Sequence, residues 1–159
     1  MRRSFFAAAL AALLAGPLGA QPLDQNGQTH EWRKPTGKVT LIEFAASWCS
    51  PCRRTLPRLE AYAKERPDVR ALVVSIDETR AGRDKLVKWL NLTVPVLWDQ
   101  NREIRTHYRP RAIPTTYVLS PQGDIVYTSV GSEQKDWDDL VRFVEQKLVA
   151  PPATVPAGR

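Results

Sequence analysis

Cysteine is scarce in this chain of 159 residues: Cys49 and Cys52 are the only two, three positions apart. That scarcity excludes a framework of structural disulfides joining distant segments. A bridge between these two closes too short a loop to stabilise much. Histidine is equally rare, with His30 and His107 alone. After residue 20 no apolar run is long enough to cross a bilayer. Dense basic runs are missing too, which argues against a nucleic-acid partner, and there is no internal repeat.

What is present describes a soluble globular protein, with 43% hydrophobic and 25% charged residues. The length suits one domain. The first twenty residues read differently from the rest. Arg2 and Arg3 precede an uncharged stretch, Phe5 to Ala15, and a small-residue end, Gly16 to Ala20. That layout is a secretory signal, with cleavage expected after Ala20 despite the large Leu18 at the −3 position. A buried helix of the mature fold is the competing reading, but the stretch has no polar face. No cysteine follows it, so nothing suggests a lipid attachment. Without the two arginines the net charge of +6 becomes +4, spread along the chain. The domain is expected over 21–149, and the tail 150–159, with three prolines, is expected to be disordered.

Periodicity orders the rest. Asn26-Gly27 signals a tight turn in a polar lead-in over 21–32. Val39 to Phe44 reads as a buried central strand, followed by a helix over Cys49–Glu65 in which Pro57 should introduce a kink. A strand from Ala71 to Ile76 precedes an amphipathic helix over 80–91 with Leu86, Trp89 and Leu90 inward. Val94–Leu97 is a short strand, Arg102–Tyr108 a short helix, and Ile113–Leu119 a strand. A turn at Pro121–Asp124 leads into Ile125–Val130. The last helix carries Trp137, Leu140, Val141, Val144 and Leu148, with Ser132 or Asp136 as candidate caps. Strands alternating with helices and ending in a hairpin predict an α/β fold with a central mixed β-sheet flanked by helices.

The cysteine pair is the chemical signal. A thiol attacks a disulfide as its thiolate, so a working cysteine needs a lowered pKa and access to solvent. Cys49 follows a strand and opens a helix, where free N–H groups and the helix dipole favour an anion. Arg53 and Arg54 add positive charge within one turn. Cys52 lies one turn deeper on the same side, placed to attack Cys49 in a mixed disulfide. This assigns Cys49 as nucleophile and Cys52 as resolving thiol. Two other readings compete. A zinc site would need His30 and His107, 19 residues before and 55 after the pair, with no second ligand pair nearby. An inert buried disulfide fits poorly with a helix start flanked by arginines.

Phe44-Ala45-Ala46-Ser47-Trp48-Cys49-Ser50-Pro51-Cys52, then Pro57, and later Ile113-Pro114-Thr115-Thr116 resemble the thioredoxin superfamily. The segment Val74-Ser75-Ile76-Asp77, a helix, and Leu92-Thr93-Val94-Pro95-Val96-Leu97 is similar to the βα insertion of the TlpA/ResA branch. About 38 residues separate Ile76 from Pro114, more than plain thioredoxin needs. The resemblance covers residues 23–148 and implies a thioredoxin-like fold. It implies further that Trp48 belongs to the client-facing surface and that Ser50 and Pro51 tune the redox poise. Pro114 matches the family's cis-proline, and the backbone of Ile113 is expected to pair with an extended client chain.

Glu43 interrupts an apolar strand six positions before Cys49. Alternation puts Leu41 and Glu43 on one face and Ile42 and Phe44 on the other, and both faces look covered. A buried carboxylate is therefore favoured over a solvent-facing one. The family places an acid here, and desolvation would raise its pKa into a range useful for moving protons. Glu43 is assigned as acid/base for the Cys52 thiol, through water. Val73 or a neighbour replaces the lysine that partners this acid in thioredoxins. Two arginine clusters, Arg53/Arg54/Arg58 and Arg102/Arg105/Arg109/Arg111, read first as solvated faces and alternatively as a steering field that also holds the thiolate. Trp89, Trp98 and Trp137 read as packing, and the two histidines have no evident role.

Together with the resemblance, these residues predict a periplasmic, monomeric thiol–disulfide oxidoreductase that reduces disulfides of exported proteins and needs no cofactor or metal. Its expected partners are disulfide-containing exported proteins, apocytochrome c or copper-site proteins in such a family, with a membrane electron donor of the disulfide-relay type. An oxidase or isomerase is the first alternative, although such proteins often carry His between the cysteines. A Cu(I) carrier is another, since soft thiolates suit that ion. A peroxidase lacks support because the Thr-x-x-Cys arrangement is absent.

Overall fold

The computed structural model describes residues 21–148. The expected signal segment 1–20 and the tail 150–159 lie outside the described residues. In chain order the elements are β1 (Thr40–Ala45), α1 (Cys52–Glu65), β2 (Arg70–Ser75), α2 (Arg80–Leu90), β3 (Val96–Trp98), α3 (Glu103–Tyr108), β4 (Thr115–Leu119), β5 (Ile125–Val130) and α4 (Gln134–Lys147). The sheet runs β3-β2-β1-β4-β5. β3, β2 and β1 are parallel, whereas β4 is antiparallel to β1 and β5 to β4. This is the expected mixed sheet, and α2 with β3 forms the expected insertion between β2 and α3.

β1 is central because all six of its side chains are buried, as a strand covered on both faces must be. Period-two alternation divides the interior into two cores. Leu41 and Ala45 join Leu56 and Leu59 of α1, Leu86 of α2, and Leu140 and Val144 of α4. Ile42 and Phe44 turn the other way, toward Trp32, Leu97, Ile104, Tyr108 and Tyr117. The polar lead-in forms a minimal hairpin, with a Leu23–Thr29 bridge and Gly27 at φ +75°, where glycine avoids the Cβ penalty.

Several element limits differ from those read in the sequence. α1 begins at Cys52, not Cys49. Residues 49–51 form a turn instead, Cys49 N–H bonding Ala46 O at 3.0 Å, and Pro51 at the N-cap has a φ of −60° suited to a helix start. The helix continues through Pro57. β4 begins at Thr115, after Ile113–Pro114. At α4 neither Ser132 nor Asp136 is the cap: Glu133 is, in a reciprocal capping box with Asp136. Trp89 is not inward but 51% exposed. Arg53 and Lys85 lie over its ring, 4.8 and 4.1 Å from the centroid.

Candidate active site

Cys49 and Cys52 are bonded to each other, their Cα atoms 5.4 Å apart. Both cysteines are buried, Cys52 the more completely. Cys52 is fully buried in the first turn of α1, whereas Cys49 retains 4% exposure beside Trp48, which is 65% exposed. In this bonded form Cys49 is more covered than the sequence suggests. Ser50 and Pro51 are both exposed. The Cys52 N–H donates to Cys49 Sγ at 3.2 Å. It is one of the first-turn amides that no helical carbonyl can satisfy, and it is aimed at the sulfur.

The turn leading to Cys49 is anchored from just beyond the end of β2. Asp77, almost wholly buried, accepts from Ser47 N–H at 3.2 and 3.0 Å, from Ser47 Oγ at 2.8 Å and from Ser75 Oγ at 2.8 Å. In the sequence Asp77 stands only as part of the insertion motif, with no task of its own. Its position directly after a buried strand was the available signal. Ser47 and Trp48 also line an open groove of about 1070 Å³ with Asp77, Lys85, Arg102 and Arg105.

The Ile113–Pro114 bond is cis. Pro114 is buried, its carbonyl accepts from Gly131 N–H at 3.2 Å, and Ile113 packs against the core that contains both cysteines.

Glu43 is fully buried on the α1 side of the sheet. Its Oε1 accepts from Thr55 Oγ1 of α1 at 2.5 Å and its Oε2 from Thr116 Oγ1 of β4 at 3.4 Å. Burial pushes the carboxyl up to about 7, against the downward pull of these two hydroxyls. The register places Val73 beside Glu43 on β2, so valine does stand in the neighbouring position. Neither Thr55 nor Thr116 was singled out for this contact. Thr55 falls three residues after Cys52, on the same helix face, which was a usable signal. Thr116 was visible only as part of the proline motif.

Other candidates disperse. Arg54 and Arg58 turn away from the cysteines to the start of α4, bonding Ser132 Oγ and the carbonyls of Ser132 and Glu133. His30 bonds Asp24 Oδ2 at 2.8 Å, and His107 meets Trp32 and Tyr108 edge-on. The two histidines therefore do not converge on the cysteines, and among the described residues no three potential ligands gather at one point. Trp98 donates its indole N–H to Asp77 O at 3.0 Å, and Trp137 packs edge-on against Tyr62.

Solved structures share this architecture. StoA from Bacillus subtilis superposes with a TM-score of 0.67 at 24% identity, covering 79% of this chain and 95% of that one. The molecule therefore has a thioredoxin fold, and its Cys-x-x-Cys pair, together with relatives named thiol-disulfide oxidoreductases, puts it in that class. Curated relatives agree. The thiol-disulfide oxidoreductase ResA of Oceanobacillus iheyensis is 35% identical over 91 residues, 56% of this chain and 47% of the relative, so the match spans about half of that protein. Thioredoxin-like protein YneN of Bacillus subtilis is 34% identical over 128 residues, 77% of this chain and 71% of the relative. The chain belongs to the AhpC/TSA family, whose description matches residues 13–128.

Proposed function

We propose that this protein reduces disulfides in exported client proteins, with Cys49 as the attacking thiolate and Cys52 as the resolving thiol. The observation that carries the reading is the Cys52 N–H aimed at Cys49 Sγ at 3.2 Å. After reduction that same amide, at the positive end of a helix, favours the Cys49 thiolate. The slight exposure left to Cys49, against none for Cys52, supports the same order of events.

In the first step the Cys49 thiolate attacks one sulfur of a client disulfide. A mixed disulfide forms and one client thiolate leaves. The Cys52 thiol then passes its proton to Glu43 through water and attacks Cys49 Sγ. The mixed bond breaks, the Cys49–Cys52 disulfide forms, and the second client thiolate departs. The client gains two electrons and takes up two protons to become a dithiol. A membrane carrier of the disulfide-relay type, itself a dithiol, returns the pair to its reduced state.

Glu43 suits the acid/base part because its pKa of about 7 allows both protonation states near neutrality. Trp48 and the backbone of Ile113, ahead of cis-Pro114, would hold an extended client segment by strand-type main-chain bonds. Ser50 and Pro51 set the poise between the sulfurs. The basic start and apolar run of residues 1–20 support an extracytoplasmic, periplasmic setting. Apocytochrome c and copper-site proteins before metal insertion are the client class, and the protein acts as a monomer.

Trapping tests the assignment. Cys52→Ser should leave Cys49 covalently linked to clients in an exported extract, identifiable by mass spectrometry, whereas Cys49→Ser should trap none. Trapping by Cys49→Ser but not by Cys52→Ser would reverse the roles, and equal trapping by both would overturn the assignment. For direction, equilibration with glutathione should give a potential more negative than about −200 mV, and a value near about −120 mV would mark an oxidant instead.

A further inference from the structure

Thr55 is the contact through which the buried acid reaches the resolving cysteine's own peptide. Its side chain is buried, and its single hydroxyl proton faces two acceptors. Glu43 Oε1 lies at 2.5 Å across the sheet–helix interface, and the carbonyl oxygen of Cys52 lies at 3.2 Å along the helix. A threonine inside a helix commonly bonds back to a preceding carbonyl for want of a better partner. Here the closer partner is a carboxyl on another element.

We propose that Thr55 is a positioning residue of this site, its hydroxyl bridging the Glu43 carboxyl to the Cys52 carbonyl and relaying the protonation state of one to the other. The proposal rests on the reading of Glu43 as acid/base. One hydroxyl donates one bond but also accepts. With Glu43 ionised, the Thr55 proton is drawn to the carboxylate and the Cys52 carbonyl goes without it. With Glu43 protonated, the acid's own O–H donates to Thr55 Oγ1, and the Thr55 proton turns to Cys52 O. Protonating Glu43 therefore reverses a chain of two hydrogen bonds that ends on the peptide of Cys52. No bond other than O–H is made or broken.

The surroundings leave this chain unopposed. β2 offers Val73 and β4 offers Thr116 beside Glu43. From α1 the facing titratable group is Cys52, with Cys49 beyond it in the bonded pair, while Arg54 and Arg58 are held at Ser132 and Glu133. On α2 and α4 several charged groups are engaged elsewhere: Arg83 on Leu23 O and Val96 O, Lys85 on Trp89, Asp139 on Lys135 and Arg142, and Glu145 on Tyr62 and Arg66. In the bonded form burial raises the carboxyl's proton affinity and the two hydroxyls lower it.

The test uses the full chain. Carbon-13 NMR follows the Glu43 carboxyl in the oxidised protein, and the pH profile of dithiothreitol-driven disulfide turnover follows the reaction. Thr55→Val, which removes a donor to the ionised form, should raise the Glu43 midpoint by about half a unit or more and move the acidic limb of the profile equally. Thr55→Ser, which keeps the hydroxyl, should match the native chain in both. If Thr55→Val leaves both midpoints in place, or Thr55→Ser moves them as far, the proposal is overturned. A reading on the unsubstituted chain guards against a variant that does not fold: the Cys52 carbonyl resonance should shift with the midpoint of Glu43, and a carbonyl indifferent to that titration overturns the relay. Glu43→Gln separates this from the parent reading. Should it keep the native acidic limb, Glu43 is not the acid/base; should it abolish the limb while Thr55→Val leaves it unmoved, the role of Thr55 alone fails.

Discussion

Glu43 lies in register with Val73 on β2 and with Thr116 on β4, so a carboxyl in the middle of the sheet has an alkyl neighbour on one side and a hydroxyl on the other. The pairing explains why its proton is held so tightly. No cation offsets the loss of water, and two hydroxyl donors recover only part of it.

Stability should consequently depend on pH through this residue. Glu43 titrates near 4.5 when unfolded and near 7 when folded. Between those values the folded chain keeps a proton that the unfolded chain releases, so stability is greatest below the unfolded value and declines as pH rises through the folded one. The loss is about 3 kcal/mol once Glu43 is ionised in both states. Glu43→Gln should remove that decline. Urea unfolding of the oxidised chain at about pH 5 and about pH 8 checks it, and parallel behaviour of the two chains would contradict the buried-acid account.

Asp77 offers a prediction about the loop. Asp77→Ala takes the acceptor from the Ser47 N–H, the Ser47 hydroxyl and the Ser75 hydroxyl at once. A loss of about 1–3 kcal/mol is expected for buried donors left without partners. Alkylation of Cys49 in the reduced protein should also quicken, because the turn that carries it is released. Unchanged alkylation alongside reduced stability would show that the anchor does not govern the cysteine.

The arginines beside the pair give a contrasting expectation. Arg54 and Arg58 bond Ser132 and Glu133 rather than either sulfur, and Arg53 lies over Trp89. Arg54→Ala and Arg58→Ala should each cost about 1 kcal/mol or less, as exposed charged groups do. The thiol titration of Cys49, followed by ultraviolet absorbance of the thiolate, should hold its midpoint. A marked rise in either variant would restore the arginines as thiolate stabilisers.

Apolar residues divide by burial. Leu59→Ala, in the core shared by α1 and β1, should cost about 2–5 kcal/mol through lost transfer energy and an unfilled cavity. Val130→Thr, on the exposed edge strand β5, should change stability by about 0.5 kcal/mol at most. Thermal or urea unfolding of both variants measures the contrast.

Much of this was readable in the amino-acid order because its determinants are local. Cys49 and Cys52 sit within one turn, Pro114 within one bond of Ile113, and alternation along β1 is enough to put Glu43 with Leu41. The start of α1 was misplaced by three residues, since the turn over 49–51 is made by backbone bonds to Ala46, Ser50 and Pro51 that residue type does not announce. The missed partners belong to long-range contacts. Thr116 reaches Glu43 across 73 positions and Ser47 reaches Asp77 across 30. Trp89 was misread because helical periodicity identifies an apolar face without telling whether another element will cover it.

One carboxylate outside the site has a practical corollary. Glu60 of α1 accepts from Thr93 N–H, the Thr93 hydroxyl and Val94 N–H, clasping the strand entry of the βα insertion to the helix that bears Cys52. Excising residues of that insertion to make a minimal scaffold would strand a buried anion on the redox helix. Any shortened design must therefore recode position 60 along with the deletion.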